Sequence, residues 1–381
     1  MRQSWKAKDY STTFEAAKII TKQLPDCDDA WRLAHLSALH LDDSDFVVEN
    51  LHSLRGDPEV QARIVRYLAK QDDHVWQASE LAKRLDVAGH AEAVSPPTRR
   101  HIIDRLMRLG LHAYRLDDAV TAGRLFRRCV ELAPDSDEAK RYLTDGAAAE
   151  IRRARQTKLA DDPHGYEAAW RRVLAYEPDH ADGLRRVAKA VDQRGEAGES
   201  YEDWLNYLRA DPHDEKAFTQ FARAARRAGR AVEALRRMHT LGLDTSRAEA
   251  ESLVREARRS ARLAHKEGDP RAAATALSAM SAVGALAEQD ATLVEATRRR
   301  LSRLLVASRR EGGLDQTSAL ASLLLDLVPD DEVALLMLAQ YAKLCRDRER
   351  AAAFYERLTQ VVPSNASYRV TLDRVRGHAA A

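Results

Sequence analysis

Cysteine is nearly absent from the 381-residue chain. Cys27, Cys129 and Cys345 lie far apart and none has a partner at metal or redox spacing. A disulfide-stapled scaffold and a cysteine zinc site are thereby excluded, a reducing compartment is the default, and Cys129 reads as a small residue in a helix–helix contact. Aromatics make up only 6% of the chain, and no run of alternating β-branched and aromatic residues stands out. With abundant alanine and with proline confined to apparent helix ends, this favours an all-α chain over one built on sheets. No uninterrupted apolar run approaches the roughly 18 residues of a membrane span. The start, MRQSWKAKDYSTTFEAAK, lacks the apolar core of a secretory signal. The expectation is a cytoplasmic protein without a membrane span.

The residue groupings that carry catalysis are equally scarce. His35 and His40 are five apart rather than four, so one helical face does not present both to a metal, and no Glu-containing zinc motif surrounds them. The turns at Gly195–Gly198 and Gly312–Gly313 lack a preceding strand and a phosphate-binding Lys-Ser/Thr, and read as helix stops. Asp42-Asp43 and Asp72-Asp73 read as turn and cap residues. No catalytic residue, cofactor or metal site is therefore assigned, and the chain is expected not to be an enzyme.

What the chain does have is a period. Pro25 and Pro58 are 33 residues apart, while Pro178 and Pro212, and again Pro329 and Pro363, are 34 apart. Pro134 to Pro178 is 44, which implies one lengthened unit broken near its middle by Pro163. After several of these prolines comes a similar stretch: PDCDDA at 25–30, PDSDEA at 134–139, PDHADG at 178–183, PHDEKA at 212–217 and PDDEVA at 329–334. Acidic residues there suit the first turn of a helix, where unpaired amides and the helix dipole favour negative charge. A helical hairpin of this length cannot bury its apolar stripe alone, so neighbouring units must stack.

In chain order, helices are predicted at Ser11–Leu24, Asp28–His40 and Phe46–Leu54, with Pro58 opening the next pair and another helix near Val75–Leu85. The segment 87–98, with Pro96 and Pro97, reads as a linker or kink between subdomains. A long helix should follow Pro134 to about Leu159, then HGYEAAWRRVLAYEP at 164–178 with Tyr166, Trp170 and Val173 inward. In the next pair Leu184, Val187, Ala188, Trp204 and Tyr207 should be buried. Between Pro212 and Pro329 the repeat is hard to follow; helices at Arg247–Lys266 and Ala287–Arg310 fit best, with Asp269-Pro270 as a helix start. The organisation expected is hairpins over 1–86, a central array over 99–229, divergent hairpins over 230–328, and a final repeat with a capping helix over 329–381.

The clearest unit, 101–134, carries Leu106, Leu109 and Gly110 on one face of its first helix and Ala122, Phe126 and Cys129 on one face of its second, closed by Pro134. The unit 332–365 repeats this with Leu335, Leu338, Ala339, Ala351, Tyr355, Leu358 and Pro363. These residues resemble the tetratricopeptide repeat (TPR) family over most of the chain, least well at 230–325; in the unit ending at Pro58, Asn50 and Ser53 replace the expected aromatic and alanine. The resemblance implies a right-handed α-α superhelix, a TPR-like solenoid, whose first helices line a concave groove for a peptide or partner protein. The groove positions it implies are Asp104, Met107, Leu111 and Tyr114; then Asp182, Arg185, Lys189 and Asp192; then Lys216, Thr219, Arg223, Arg226 and Arg227.

Net charge is only +2, but residues 26–73 are acidic and residues 223–266 basic. A groove bearing Arg185, Lys189, Lys216, Arg223, Arg226 and Arg227 would hold an acidic segment or a terminal carboxylate. The competing reading is that these side chains only solubilise alanine-rich helices, since 49 of the 61 basic residues are Arg throughout the chain. Nucleic acid is the disfavoured partner, because Phe218 and Phe221 sit at core spacing rather than as stacking platforms. The leading expectation is a non-enzymatic adaptor or scaffold for a protein or acidic peptide. The alternatives are an accessory subunit of an enzyme assembly, such as a cell-envelope polysaccharide or glycosyltransferase system, and self-assembly into a homo-oligomer through an exposed end.

Overall fold

The computed structural model describes residues 1–24, 27–54, 57–345 and 347–377, and every regular element among them is helical. The chain divides into two compact units, Met1–Ala190 and Val191–Ala381. The first holds α1 (Arg2–Lys6), α2 (Tyr10–Gln23), α3 (Asp28–Leu41), α4 (Ser44–Glu49), α5 (Pro58–Leu68), α6 (Val75–Val87), α7 (Pro96–Arg115), α8 (Ala119–Leu132), α9 (Asp137–Ala154) and α10 (Pro163–Tyr176). The division falls inside α11 (Ala181–Arg194). The second holds α12 (Ala197–Ala210), α13 (Glu215–Arg227), α14 (Ala231–Leu241), α15 (Ala248–Glu267), α16 (Pro270–Ala282), α17 (Ala291–Arg310), α18 (Leu314–Leu327), α19 (Glu332–Leu344), α20 (Arg348–Val361) and α21 (Ala366–Arg376). Consecutive helices pack as hairpins: α2 on α3, α5 on α6, α7 on α8 and α9 on α10 in the first unit, and α12 on α13, α15 on α16, α17 on α18 and α19 on α20 in the second.

Aspartate starts many of these helices. Asp9, Asp43, Asp57, Asp118, Asp162, Asp214, Asp269, Asp331 and Asp347 each accept a hydrogen bond from a backbone N–H of the first turn. Of the repeated acidic stretches, 212–217 and 329–334 supply such caps, whereas at 134–139 Ser136 is the cap and Asp137 and Glu138 lie in the first turn. The prolines divide into two kinds. Pro58, Pro163 and Pro270 sit in the first helical turn, where a missing N–H costs nothing, whereas Pro134, Pro178, Pro212, Pro329 and Pro363 occupy the turns between helices. Pro25 lies outside the described residues.

Four sequence expectations are corrected here. Pro163 divides the lengthened unit by opening α10, but the helix before it stops at Ala154, not near Leu159. Phe46–Leu54 is not one helix but α4 followed by a 3-10 turn at Leu51–Ser53. Pro96 and Pro97 do not interrupt helical geometry; they open α7. Val94 beside them is buried in the same core as Leu85 and Ile102, while the rest of 87–98 is exposed or half-buried. Finally, Leu109 is 42% exposed, and the buried stripe of α7 is Ile102, Leu106, Gly110 and Ala113 with Met107. The core takes the row at spacing four, which leaves a leucine three positions after Leu106 outside.

Gly110 makes the α7–α8 contact possible: a β-carbon there would lie 2.7 Å from Phe126 Cε1. Phe126 fills that notch, fully buried, and stacks on Tyr142 at 5.1 Å. Gly123 lets α8 reach α10, since a β-carbon would meet the Ala175 carbonyl oxygen at 2.3 Å. Cys129 is fully buried, as its reading as a small contact residue requires, and burial pushes its thiol up to about 12. The final hairpin follows the TPR-like pattern closely: Leu335, Leu338, Ala339, Ala342, Ala351, Tyr355 and Leu358 are all buried. Tyr166, Trp170 and Val173 are inward in α10, as are Val187, Ala188, Trp204 and Tyr207 in the next helices, while Leu184 is only half-buried.

Candidate binding face

The groove residues expected from sequence fall in both units. Arg185 and Lys189 of α11 belong to the first; Lys216, Arg223, Arg226 and Arg227 of α13 belong to the second. Arg185 donates to Asp182 at 3.0 Å, and Arg186 donates to the same carboxylate at 2.7 Å and to the Tyr166 hydroxyl at 2.9 Å. Arg227 pairs with Asp192 at 3.2 Å, and Arg223 donates to Gln220 at 3.3 Å. Two of the six cations therefore already have carboxylate partners. Lys189, Lys216 and Arg226 are exposed and make no ion pair among the described residues. In the α7 set, Asp104 and Tyr114 are exposed, with Tyr114 edge-on to Tyr142 at 6.0 Å, but Met107 is buried and cannot line a groove.

Helix geometry adds a set that the groove positions did not include. On α15 the buried residues are Ala250, Leu253, Ala257, Ala261 and Ala264. Opposite them run Arg255, Arg259, Arg262 and Lys266, spaced four, three and four apart so that they stack on one face. All four are exposed and none makes an ion pair among the described residues. On α17, Leu301 and Leu305 face inward while Arg299, Arg303 and Arg310 are exposed on the far side, with Arg299 held by Glu295 at 2.8 Å.

The helices α13, α15 and α17 lie side by side in the second unit. Thr219 of α13 donates to Glu249 of α15 at 2.9 Å, and Arg300 of α17 donates to the His265 carbonyl at 2.7 Å. Arg258 of α15 reaches Asp290, just before α17, at 3.0 Å. Burial raises the Asp290 pKa, but hydrogen bonds from Arg258 and from the Ala287 amide outweigh it and hold the carboxyl below its ordinary value. The buried acid is thus used inside the unit, and the outward faces keep their positive charge. The block of charge between 223 and 266 was visible in the sequence. The finer signal, cations at helical spacing opposite an alanine stripe, separates this exposed basic face from Arg236, which reaches Ser278, and Arg258, which is internal.

Among the described residues no cluster of histidine, cysteine or carboxylate side chains could hold a metal, and no helix is long and apolar enough to cross a membrane. His35 is a core residue: its Nε2 lies 3.1 Å from Ser53 Oγ, and burial pushes its pKa down to about 4. His40 stacks on Tyr10 at 4.0 Å. Phe218 and Phe221 are buried, so the α13 face carries no aromatic platform.

No family model matches the sequence, and no curated protein matches it. Among solved structures, the TPR domain of P58(IPK) is similar at 14% identity over 98% of this chain and 95% of that one, with a TM-score of 0.25. The TPR2AB domain of yeast Sti1, solved as a complex with pHSP90, is 14% identical over 72% and 96%, with a TM-score of 0.20. Yeast Tom70 is 12% identical over 98% and 87%, with a TM-score of 0.19. Likenesses this low say nothing about function. On its own packing of paired helices, small residues against aromatic and aliphatic ones, the chain is an all-α, TPR-like array of helical hairpins.

Proposed function

We propose that the chain is a non-enzymatic repeat scaffold that docks an acidic segment of a partner protein on the basic face of α13, α15 and α17. The observation that carries this is the Arg255, Arg259, Arg262 and Lys266 stripe, exposed and making no ion pair among the described residues. Arginine offers paired N–H donors that match a carboxylate, and a set of them in fixed register selects a segment with several acids. The lack of aromatic side chains on these outward faces favours a carboxylate-bearing polypeptide over single-stranded nucleic acid, which binds through base stacking as well as charge.

The test is retention of the full chain on immobilised poly-glutamate, together with affinity purification and identification of bound proteins. Wild type is expected to be retained at low salt and released as salt rises. Arg255→Glu with Arg259→Glu, and separately Arg223→Glu with Arg226→Glu, should lose both retention and the captured partners. Variants that keep every partner, or a wild type that prefers single-stranded RNA to poly-glutamate, would overturn the reading.

A further inference from the structure

The first unit carries a second surface of different chemistry. At the C-terminal end of α7 a cleft of about 390 Å³ opens between α6, α7 and α8, lined by Trp76, Leu109, His112, Leu116 and Arg124 over a floor of Leu125. Leu109 is 42% and Leu116 68% exposed, far more than side chains of this kind leave open when they serve only a core. The cleft is within the size range of small binding clefts, about 300–1,000 Å³. Its one aromatic wall is preset: the Arg124 guanidinium lies 3.8 Å from the Trp76 ring centre and that of Arg128 4.9 Å.

Charge decides what fits. Arg128 is already matched to Glu80 and Glu131, whereas Arg124 has no carboxylate in reach among the described residues. The one acid of the lining, Asp118, is turned onto its own helix as the α8 cap, accepting from the Thr121 amide at 3.1 Å. Arg124 is therefore the cation of the lining that is left without a carboxylate, beside an apolar floor.

We infer that this cleft docks a linear segment of a partner protein in which large apolar side chains, leucine or phenylalanine, stand beside carboxylates: the apolar groups fill the space between Leu109, Leu116 and Trp76, and a carboxylate pairs with Arg124. This site is separate from the basic face of the second unit and does not depend on it.

The experiment is fluorescence anisotropy with the full chain and a labelled peptide of repeated Asp-Glu-Phe-Leu, with Asp-Glu-Ser-Ser and Lys-Arg-Phe-Leu repeats as controls. The first peptide should bind and the controls should bind at least about tenfold more weakly. Leu109→Ser with Leu116→Ser, two exposed positions whose change leaves the core intact, should weaken it by about tenfold or more. Arg124→Glu should weaken it as well and favour the Lys-Arg-Phe-Leu peptide. Arg255→Glu with Arg259→Glu should leave the affinity for Asp-Glu-Phe-Leu within about twofold, since sites without shared partners behave independently. The inference fails if wild type does not bind the peptide, if the leucine variant binds as wild type does, or if only the α15 variant loses binding. It also fails if sedimentation shows a wild-type dimer that the leucine variant dissociates, which would make the cleft a contact between copies.

Discussion

The α7–α8 hairpin and the α15–α16 hairpin both begin with a helix of 20 residues, yet they hold together by different means. In the first, a phenylalanine drops into the gap left by a glycine, and a second glycine lets α10 approach. In the second, Ala250, Ala257, Ala261 and Ala264 meet a helix whose own buried set is rich in alanine, including Ala273, Ala274, Ala276 and Ala279. Around it an internal ion pair, Arg258 to Asp290, ties α15 to the turn before α17. Aromatic-in-notch packing concentrates binding energy in few atoms. Alanine packing spreads it thinly and brings a charged pair into the interior, where losing one partner is costly.

The largest test of that contrast is Phe126→Ala, expected to cost about 4 kcal/mol through lost burial and the cavity it leaves. Gly123→Ala should cost roughly 2 kcal/mol, because its methyl meets backbone that cannot turn aside. Both are read by denaturant unfolding, and a cost below ~1 kcal/mol for Phe126→Ala would mean that the notch is not the anchor of this hairpin. Next comes Asp290→Ala, which leaves Arg258 without its carboxylate and should cost about 3 kcal/mol. If it is neutral, the alanine contacts alone hold α15 in place.

Acid separates the two units more gently. His35 has a folded pKa of about 4 against an ordinary 6.5, so the unfolded chain takes up its proton first. The associated stability is fully present above 6.5, is lost progressively between about 6.5 and 4, and amounts to roughly 3 kcal/mol. Asp290 works in the same sense but at lower pH. Its carboxyl is held below the ordinary 3.8, so its contribution is full above that value and fades only as pH falls through the lowered one. Hydrogen exchange at graded pH should show the first unit loosening before the second, with His35→Gln flattening the first phase. Simultaneous loosening would remove the contrast.

The repeat was legible where the hairpins are built from few large side chains. Phe126 with Gly110 and Tyr355 with Ala339 leave a spaced signature that survives in sequence. It faded over 230–325 because α15 and α17 run to 20 residues against 13 for α13 and α19, which stretches the period, and because alanine against alanine leaves no distinctive spacing. Leu109 misled because leucine reads as core wherever it stands; only the packed row through Gly110 shows that the core has turned past it. The paired state of Arg227 was hidden for a different reason, since only the fold brings Asp192 near it, whereas the Arg185 partner, Asp182, stands three residues away on the same helix.

Asp117 sits in the turn between α7 and α8 with φ of 60°, a left-handed backbone that costs a non-glycine residue something to adopt. What holds it comes from the following hairpin: Arg153 of α9 reaches its carboxylate at 2.5 Å, and Arg172 of α10 reaches it at 2.9 Å and the carbonyl at 3.1 Å. Each hairpin in this stretch is thus finished by its successor. A chain cut after Leu132 would forfeit those clasps as well as the shared core, so stability here is a property of neighbours, and cooperative melting of adjoining repeats is its natural outcome.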